Sequence, residues 1–165
     1  MHSRDIMHLV TGGAGFIGSH LVDALVSRGI NVRVFDNFSS GREEFLSHHQ
    51  GTGKVEVVRG DLLNIDEVES AMSGIEMVHH LAANPDIRLG TEVTDTDLKQ
   101  GTLATYNVLE SMRKVGVNKI SFSSSSAIYG EAEEMPTPET YGPVMPISLY
   151  LSLIHISEPT RLVSI

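Results

Sequence analysis

The chain has 165 residues, with 21 acidic against 12 basic side chains for a formal net charge of −9, 41% hydrophobic residues and no cysteine. That charge argues against a nucleic-acid partner, whose phosphates demand a basic stripe, and the lack of thiols excludes disulfides and thiolate chemistry. No apolar run approaches the roughly 20 residues that span a bilayer, and the opening "MHSRDIMHLV" is too short in apolar residues for a secretory signal, so one soluble domain in the cytoplasm is expected.

Strand-like and helix-like segments then alternate. "IMHLVT" (6–11) predicts a first strand. "FIGSHLVDALVSRG" (16–29) predicts a helix with Ile17, Leu21, Ala24 and Leu25 on its apolar face and Gly29 as its stop. "NVRVFD" (31–36) and "KVEVVRGD" (54–61) predict strands two and three, on either side of the long polar loop 36–53. "IDEVESAMSG" (65–74) predicts a short helix starting near Asn64 or Asp66. "EMVHHLAA" (76–83) predicts strand four, 95–116 a long helix closed by glycine, and "NKISFSSSS" (118–126) strand five. The alternation implies an α/β fold, a doubly wound parallel sheet covered by helices on both faces, with strand order 3-2-1-4-5 and a switch between strands one and four.

"TGGAGFIGSH" (11–20) joins strand one to the first helix. Gly12, Gly15 and Gly18 stand where the chain must turn tightly, admit a ligand against its backbone and pack a helix on the sheet, and each task disfavours a Cβ. Gly13, Gly15 and Gly18 also satisfy the G-x-G-x-x-G spacing. The helix start offers free N–H groups and a partial positive charge to a pyrophosphate. Asp36, ending strand two, is the acidic residue expected about 20 positions on, where it would accept hydrogen bonds from the adenosine ribose. Its charge would repel a 2′-phosphate, favouring NAD over NADP, with Arg42 nearby as the opposing influence. Asp61, ending strand three, is placed either to meet the adenine or simply to make a turn.

With "TGGAGFIGSHL", "VFDNFSSG", "GDLLN", "HHLAA", "TLATYNVLE", "FSSSSAIYG" and "PISLY" in order over residues 7 to 150, the chain resembles the extended short-chain dehydrogenase/reductase family. Within it, the likeness is to the UDP-glucose 4-epimerase-like, NAD-dependent nucleotide-sugar epimerases and dehydratases. The resemblance implies a Rossmann domain over 1–150 that carries NAD. It implies that Gly12, Gly15, Phe16 and Ile17 lie along the pyrophosphate with Gly18 in the same loop. Asp36 and Asn37 would hold the ribose with Ser39 and Gly41 close by, and Asp61 and Leu62 would flank the adenine. Leu81, Ala82 and Ala83 would line the cofactor, and Ser123 would lie near the nicotinamide ribose. The catalytic pair implied is Ser125, four residues before Tyr129, and Tyr150. The substrate implied is a nucleotide sugar, and the parent enzyme a homodimer.

The family's lysine, one helical turn after the tyrosine, would lower the phenol pKa from its ordinary value near ~10. Position 154 is isoleucine instead. The chain also lacks the family's second, substrate-binding domain, so the fold is expected to be incomplete. Its tail, "LSLIHISEPTR" (151–161), is similar to a translated transposase adapter from sequencing libraries, and 151–165 is expected to be non-native. A protein of this kind is expected to bind NAD without turnover. A non-catalytic dinucleotide-binding module, and a nucleotide-sugar reductase or oxidase, are the alternatives. Of the eight histidines, His79 and His80 would point to opposite faces of a strand. His48 and His49 fall in a loop with no carboxylate at ligand spacing, so no metal is expected.

Overall fold

Successive residues of a strand face opposite ways, and the first strand, β1 (Met7–Thr11), feeds two cores: Leu9 and Val10, both fully buried, sit in separate apolar clusters. The computed structural model describes residues 6–86, 93, 95–125, 129, 132 and 134–141. After β1 come α1 (Phe16–Ser27), β2 (Asn31–Asp36), β3 (Val55–Arg59), α2 (Ile65–Ala71), β4 (Met77–His80), α3 (Ala104–Val115) and β5 (Ile120–Phe122). A 3-10 segment (Glu43–His49) precedes β3, and a π-helical segment (Leu98–Leu103) leads into α3.

The sheet is parallel with the order β3-β2-β1-β4-β5, so β1 pairs with both β2 and β4 as expected for a doubly wound sheet. On one face Leu9, Phe35 and Val78 meet Val68 of α2, Met72 at its C-cap, and Val108 and Met112 of α3. On the other, Val10, Val32 and Val34 meet Val22 and Leu25 of α1 and Leu46 of the 3-10 segment. Each such buried side chain contributes roughly 1.5–3 kcal/mol.

The structure corrects several boundaries. Strands three, four and five end earlier than their apolar and serine runs suggest. One hydrogen bond carries each ladder past the strand end before the chains diverge: Gly60 N–H to Asp36 O at 3.1 Å, Leu81 N–H to Thr11 O at 3.2 Å, and Ser123 N–H to His80 O at 3.0 Å. The residues that follow line the opening so formed. The apolar face of α1 is also rotated from the expected one. Gly18, Val22 and Leu25 are buried, whereas Ile17 is 67% exposed in the first turn. The long helix over 95–116 starts with π-helical turns, a wider coil found often at functional sites. Gly116, at φ +81°, ends it in the left-handed conformation.

Candidate functional site

The carboxyl ends of the strands open into a cleft of about 460 Å³, at the switch point between β1 and β4. The glycine turn shapes its floor. Gly12 has φ +70°, and a Cβ there would lie 2.8 Å from the Ala82 backbone nitrogen. A Cβ on Gly18 would overlap the Gly12 carbonyl oxygen, so only glycine lets α1 approach so closely. Gly13 is needed for a different reason: its Cβ would meet the Val34 side chain at 2.8 Å. Gly15 faces the cleft, and its Cβ would meet only the Gly12 carbonyl oxygen, at 3.2 Å.

Gly15 is also the N-cap of α1. It brings no capping side chain, and the first turn holds no acidic residue. The first N–H groups of a helix have no intrahelical partner. Here those of Phe16 and Ile17 belong to residues lining the cleft, and no carboxylate of that turn competes with an anion.

Asp36 braces this turn from β2. It is 9% exposed, and its Oδ2 accepts the Ala14 N–H at 2.9 Å while Oδ1 accepts the Phe38 N–H at 2.8 Å. Arg42 N–H donates to the Ala14 carbonyl at 2.9 Å, which ties the loop after β2 to the glycine turn. A carboxylate has about four lone-pair sites, so Asp36 keeps acceptor capacity toward the cleft. The two arginines of this end are engaged elsewhere. Arg42 lies outside the described residues lining the cleft, its guanidinium 5.9 Å from the Phe45 ring. Arg59 stacks over Phe38 at 4.4 Å and pairs with Glu43 at 2.9 Å. Asp61 lines the cleft and also closes its own turn, its Oδ1 accepting the Leu63 N–H at 2.9 Å.

Across the cleft stand Leu81, Ala82, Ala83 and Ser123. A buried relay anchors this side. Thr11 Oγ1 lies 2.7 Å from His80 Nδ1, and His80 Nε2 lies 3.1 Å from Thr105 Oγ1. Ala82 N–H donates to Thr11 Oγ1 at 3.4 Å, which ties the chain after β4 to the same hydroxyl. Burial pushes the His80 pKa down to about 4, so the ring is neutral at pH 7.

Comparison with known proteins follows this geometry. A family model described as "NAD dependent epimerase/dehydratase family" matches residues 8–153. The chain belongs to that family. It is 39% identical over 146 residues to a putative UDP-glucose 4-epimerase of Methanocaldococcus jannaschii, covering 87% of this chain and 46% of that protein. It is 39% identical over 144 residues to UDP-glucuronic acid decarboxylase 4 of Arabidopsis thaliana, covering 86% of this chain and 31% of that protein. The crystal structure of a Thermus thermophilus UDP-glucose 4-epimerase in complex with NAD superposes with a TM-score of 0.83 at 36% identity, over 93% of this chain and 49% of that one. The chain thus spans less than half the length of these relatives.

For this member of the NAD-dependent epimerase/dehydratase family, every residue named from the sequence as a cofactor contact lines the one cleft, from Gly12 in the glycine turn to Ser123 after β5. Ser125 is half-buried, three residues beyond the end of β5. Tyr150 and Ile154 lie outside the described residues. Sequence reasoning missed Ser40, Pro85 and Gln100, which line the cleft as well. Gln100 sits in the π-helical segment, and a regular helix over 95–116 gives no sign that this residue turns inward. Gly60 was missed too: a Cβ there would collide with the Phe35 ring.

The histidines divide as expected on β4 and otherwise elsewhere. His79 contacts His8 on one face, Nε2 to Nδ1 at 3.1 Å, while His80 joins the relay on the other. His48 and His49 do have a carboxylate beside them, which corrects the expectation. Asp23 of α1, 25 residues upstream of His48, reaches both rings. Spacing in sequence could not reveal a partner brought by the fold.

Proposed function

We propose that this chain is the NAD-binding part of a nucleotide-sugar epimerase or dehydratase, and that the cleft at the β1–β4 switch holds the dinucleotide. The observation that carries the reading is the convergence there of the uncapped α1 N-terminus and the Asp36 carboxylate. The residues fit the group. Gly12, Gly15, Phe16 and Ile17 would run along the pyrophosphate, with Gly18 allowing the helix to come close. Asp36 and Asn37 would hold the adenosine ribose beside Ser39 and Gly41. Asp61 and Leu62 would flank the adenine, Leu81, Ala82 and Ala83 would line the middle, and Ser123 would stand near the nicotinamide ribose. With Asp36 at the ribose and both nearby arginines otherwise engaged, NAD is the expected form rather than NADP. Calorimetry with both dinucleotides tests this, and equal affinities would overturn it.

Bound NAD supplies the chemistry of taking a hydride from a sugar carbon and returning it. The chain's own part is to position and to move a proton. The Ser125 hydroxyl would donate to the reacting sugar oxygen and steady the charge that builds there. Tyr150, as phenolate, would accept that oxygen's proton as the hydride leaves the carbon. The names of the relatives, UDP-sugar epimerases and decarboxylases, support a nucleotide-sugar substrate. A reductase or oxidase of such a sugar would use the same residues.

Ile154 favours a second reading, in which this polypeptide binds NAD and does not turn over. Without a cation one helical turn away, the Tyr150 phenol would keep an ordinary pKa near ~10 and stay protonated at neutral pH. Residues 151–165 would be foreign sequence, with the binding domain ending at Tyr150. Assaying this chain beside one rebuilt with "GASK" after Tyr150 and a family C-terminal half is the test. Comparable turnover by the two would refute the role of Tyr150 and the need for lysine. The parent enzyme would work in the cytoplasm as a homodimer. Leu103, Tyr106 and Leu109 along the π-helical segment and α3 are 43%, 58% and 42% exposed, an apolar stripe that a second copy would cover. Light scattering on the parent enzyme checks the dimer.

A further inference from the structure

Asp23, on the outer part of α1, and His48 and His49, at the end of the 3-10 segment, bring three ligand atoms to one point. Asp23 Oδ1 lies 2.8 Å from His48 Nε2 and 2.6 Å from His49 Nε2, and the three atoms are all within 4.8 Å of one another. The two rings lie with centroids 4.1 Å apart, their planes tilted by 42°. The His49 side chain is 10% exposed and held in place, whereas those of Asp23 and His48 are 44% and 54% exposed. One side of the cluster is therefore open to water.

We propose that Asp23, His48 and His49 form a binding site for a divalent transition-metal ion of the zinc class, with water completing its coordination. Two imidazoles and one carboxylate are the donors that Zn²⁺ takes, whereas Mg²⁺ and Ca²⁺ prefer oxygen ligands alone. Metal–donor distances of about 2.0–2.2 Å in a tetrahedral site put the donors about 3.4 Å apart. Asp23 Oδ1, now 2.8 and 2.6 Å from the two nitrogens, must then back away by about 0.6 and 0.8 Å to make room. The exposed Asp23 and His48 have that freedom, and His49 serves as the fixed ligand. On binding, each Nε2 gives its lone pair to the metal, and its proton passes through water to Nδ1. The 3-10 segment continues the loop that carries Ser39 and Gly41, and α1 begins at the glycine turn. A metal here would staple together two segments of the cleft wall.

The test uses the full chain after dialysis against a chelator. Calorimetric titration with Zn²⁺ should show one equivalent bound at micromolar protein. Asp23→Asn, which keeps size and shape, and His48→Gln, at an exposed position, should each weaken binding by about tenfold or more. Zn²⁺ should raise the Tm of the parent chain and not of the variants. Imidazole ¹⁵N NMR on the unmutated chain provides a readout independent of the variants' folding. Zn²⁺ should move the resonances of His48 and His49 and leave those of His8, His79 and His80 in place. Absence of stoichiometric binding, variants with unchanged affinity, or shifts confined to other histidines would each overturn the proposal.

Discussion

Between Thr11 and Arg42, the cleft wall is held by bonds to backbone N–H groups of one strand–helix–strand unit and the loop after it: the Gly12 turn, the Asp36 carboxylate accepting from Ala14 and Phe38, and the Arg42 N–H donating to Ala14 O. The opposite wall, after β4 and β5, is held by side chains from three distant elements, Thr11, His80 and Thr105. The contacts of the first wall all lie between Thr11 and Arg42, within β1, α1, β2 and the loop that follows. The second depends on the finished fold, because its partners come from three separate elements.

The strongest challenge to that contrast is Gly12→Val, because Gly12 is where the two walls touch. Its φ of +70° disfavours a β-branched residue, and any Cβ would sit 2.8 Å from the Ala82 nitrogen. NAD affinity should fall by about a hundredfold or more, the equivalent of about 3 kcal/mol. Calorimetry, with circular dichroism to confirm folding, measures it. A folded variant that binds as before would mean that the walls are not in register through this contact.

Acid should loosen the second wall before the first. The unfolded imidazole of His80 takes up a proton as pH falls through about 6.5, whereas burial keeps the folded ring neutral down to about 4. In that window the unfolded state binds more protons, so stability falls as pH falls, by about 3 kcal/mol once below the folded value. Burial lowers the pKa of His8 and His79 as well, which adds to the trend with the same sign. Urea melts at pH 7 and pH 4.5 should show a smaller loss for His80→Gln than for the parent chain. Equal losses would remove His80 as the pH-sensitive anchor.

A smaller effect is expected from Asp36→Asn, which keeps one acceptor oxygen but removes the charge. Hydrogen bonds to charged groups contribute about 1.5–3 kcal/mol. NAD binding should weaken about tenfold to a hundredfold, and the preference over NADP should shrink. Calorimetry with both dinucleotides reads the two effects separately. If selectivity persists in the variant, discrimination lies with another group, and Glu43 beside Arg59 becomes the next position to change.

The same contrast explains what the sequence disclosed. The sheet order and the glycine turn were legible because periodicity and Cβ-free positions are local properties. Ile17 was misplaced on the buried face of α1 because periodicity reports amphipathicity and cannot tell a core from a ligand cleft at the first turn. Gln100 was hidden by a π-helical register. The extra length given to strands four and five came from residues such as Ala82, Ala83 and Ser123, apolar or small, that line the cleft after pairing has ended. Neither the His80 relay nor the Asp23 contact with His48 and His49 could be seen, since each joins residues at least 25 positions apart.

The mildest variant isolates contact from conformation. Gly29 has φ +79°, close to that of Gly12, yet a Cβ built on it meets nothing within 4 Å. It ends α1 on the side away from the cleft, with its N–H bonded to Val26 O at 2.9 Å. Gly29→Ala therefore carries only the left-handed penalty, about 1 kcal/mol. A urea melt should show that loss, and calorimetry should show NAD affinity unchanged. If Gly29→Ala weakened NAD binding as much as Gly12→Val, backbone strain transmitted along α1 would explain both. The close approach of Gly12 to Ala82 would then lose its special part in joining the two walls.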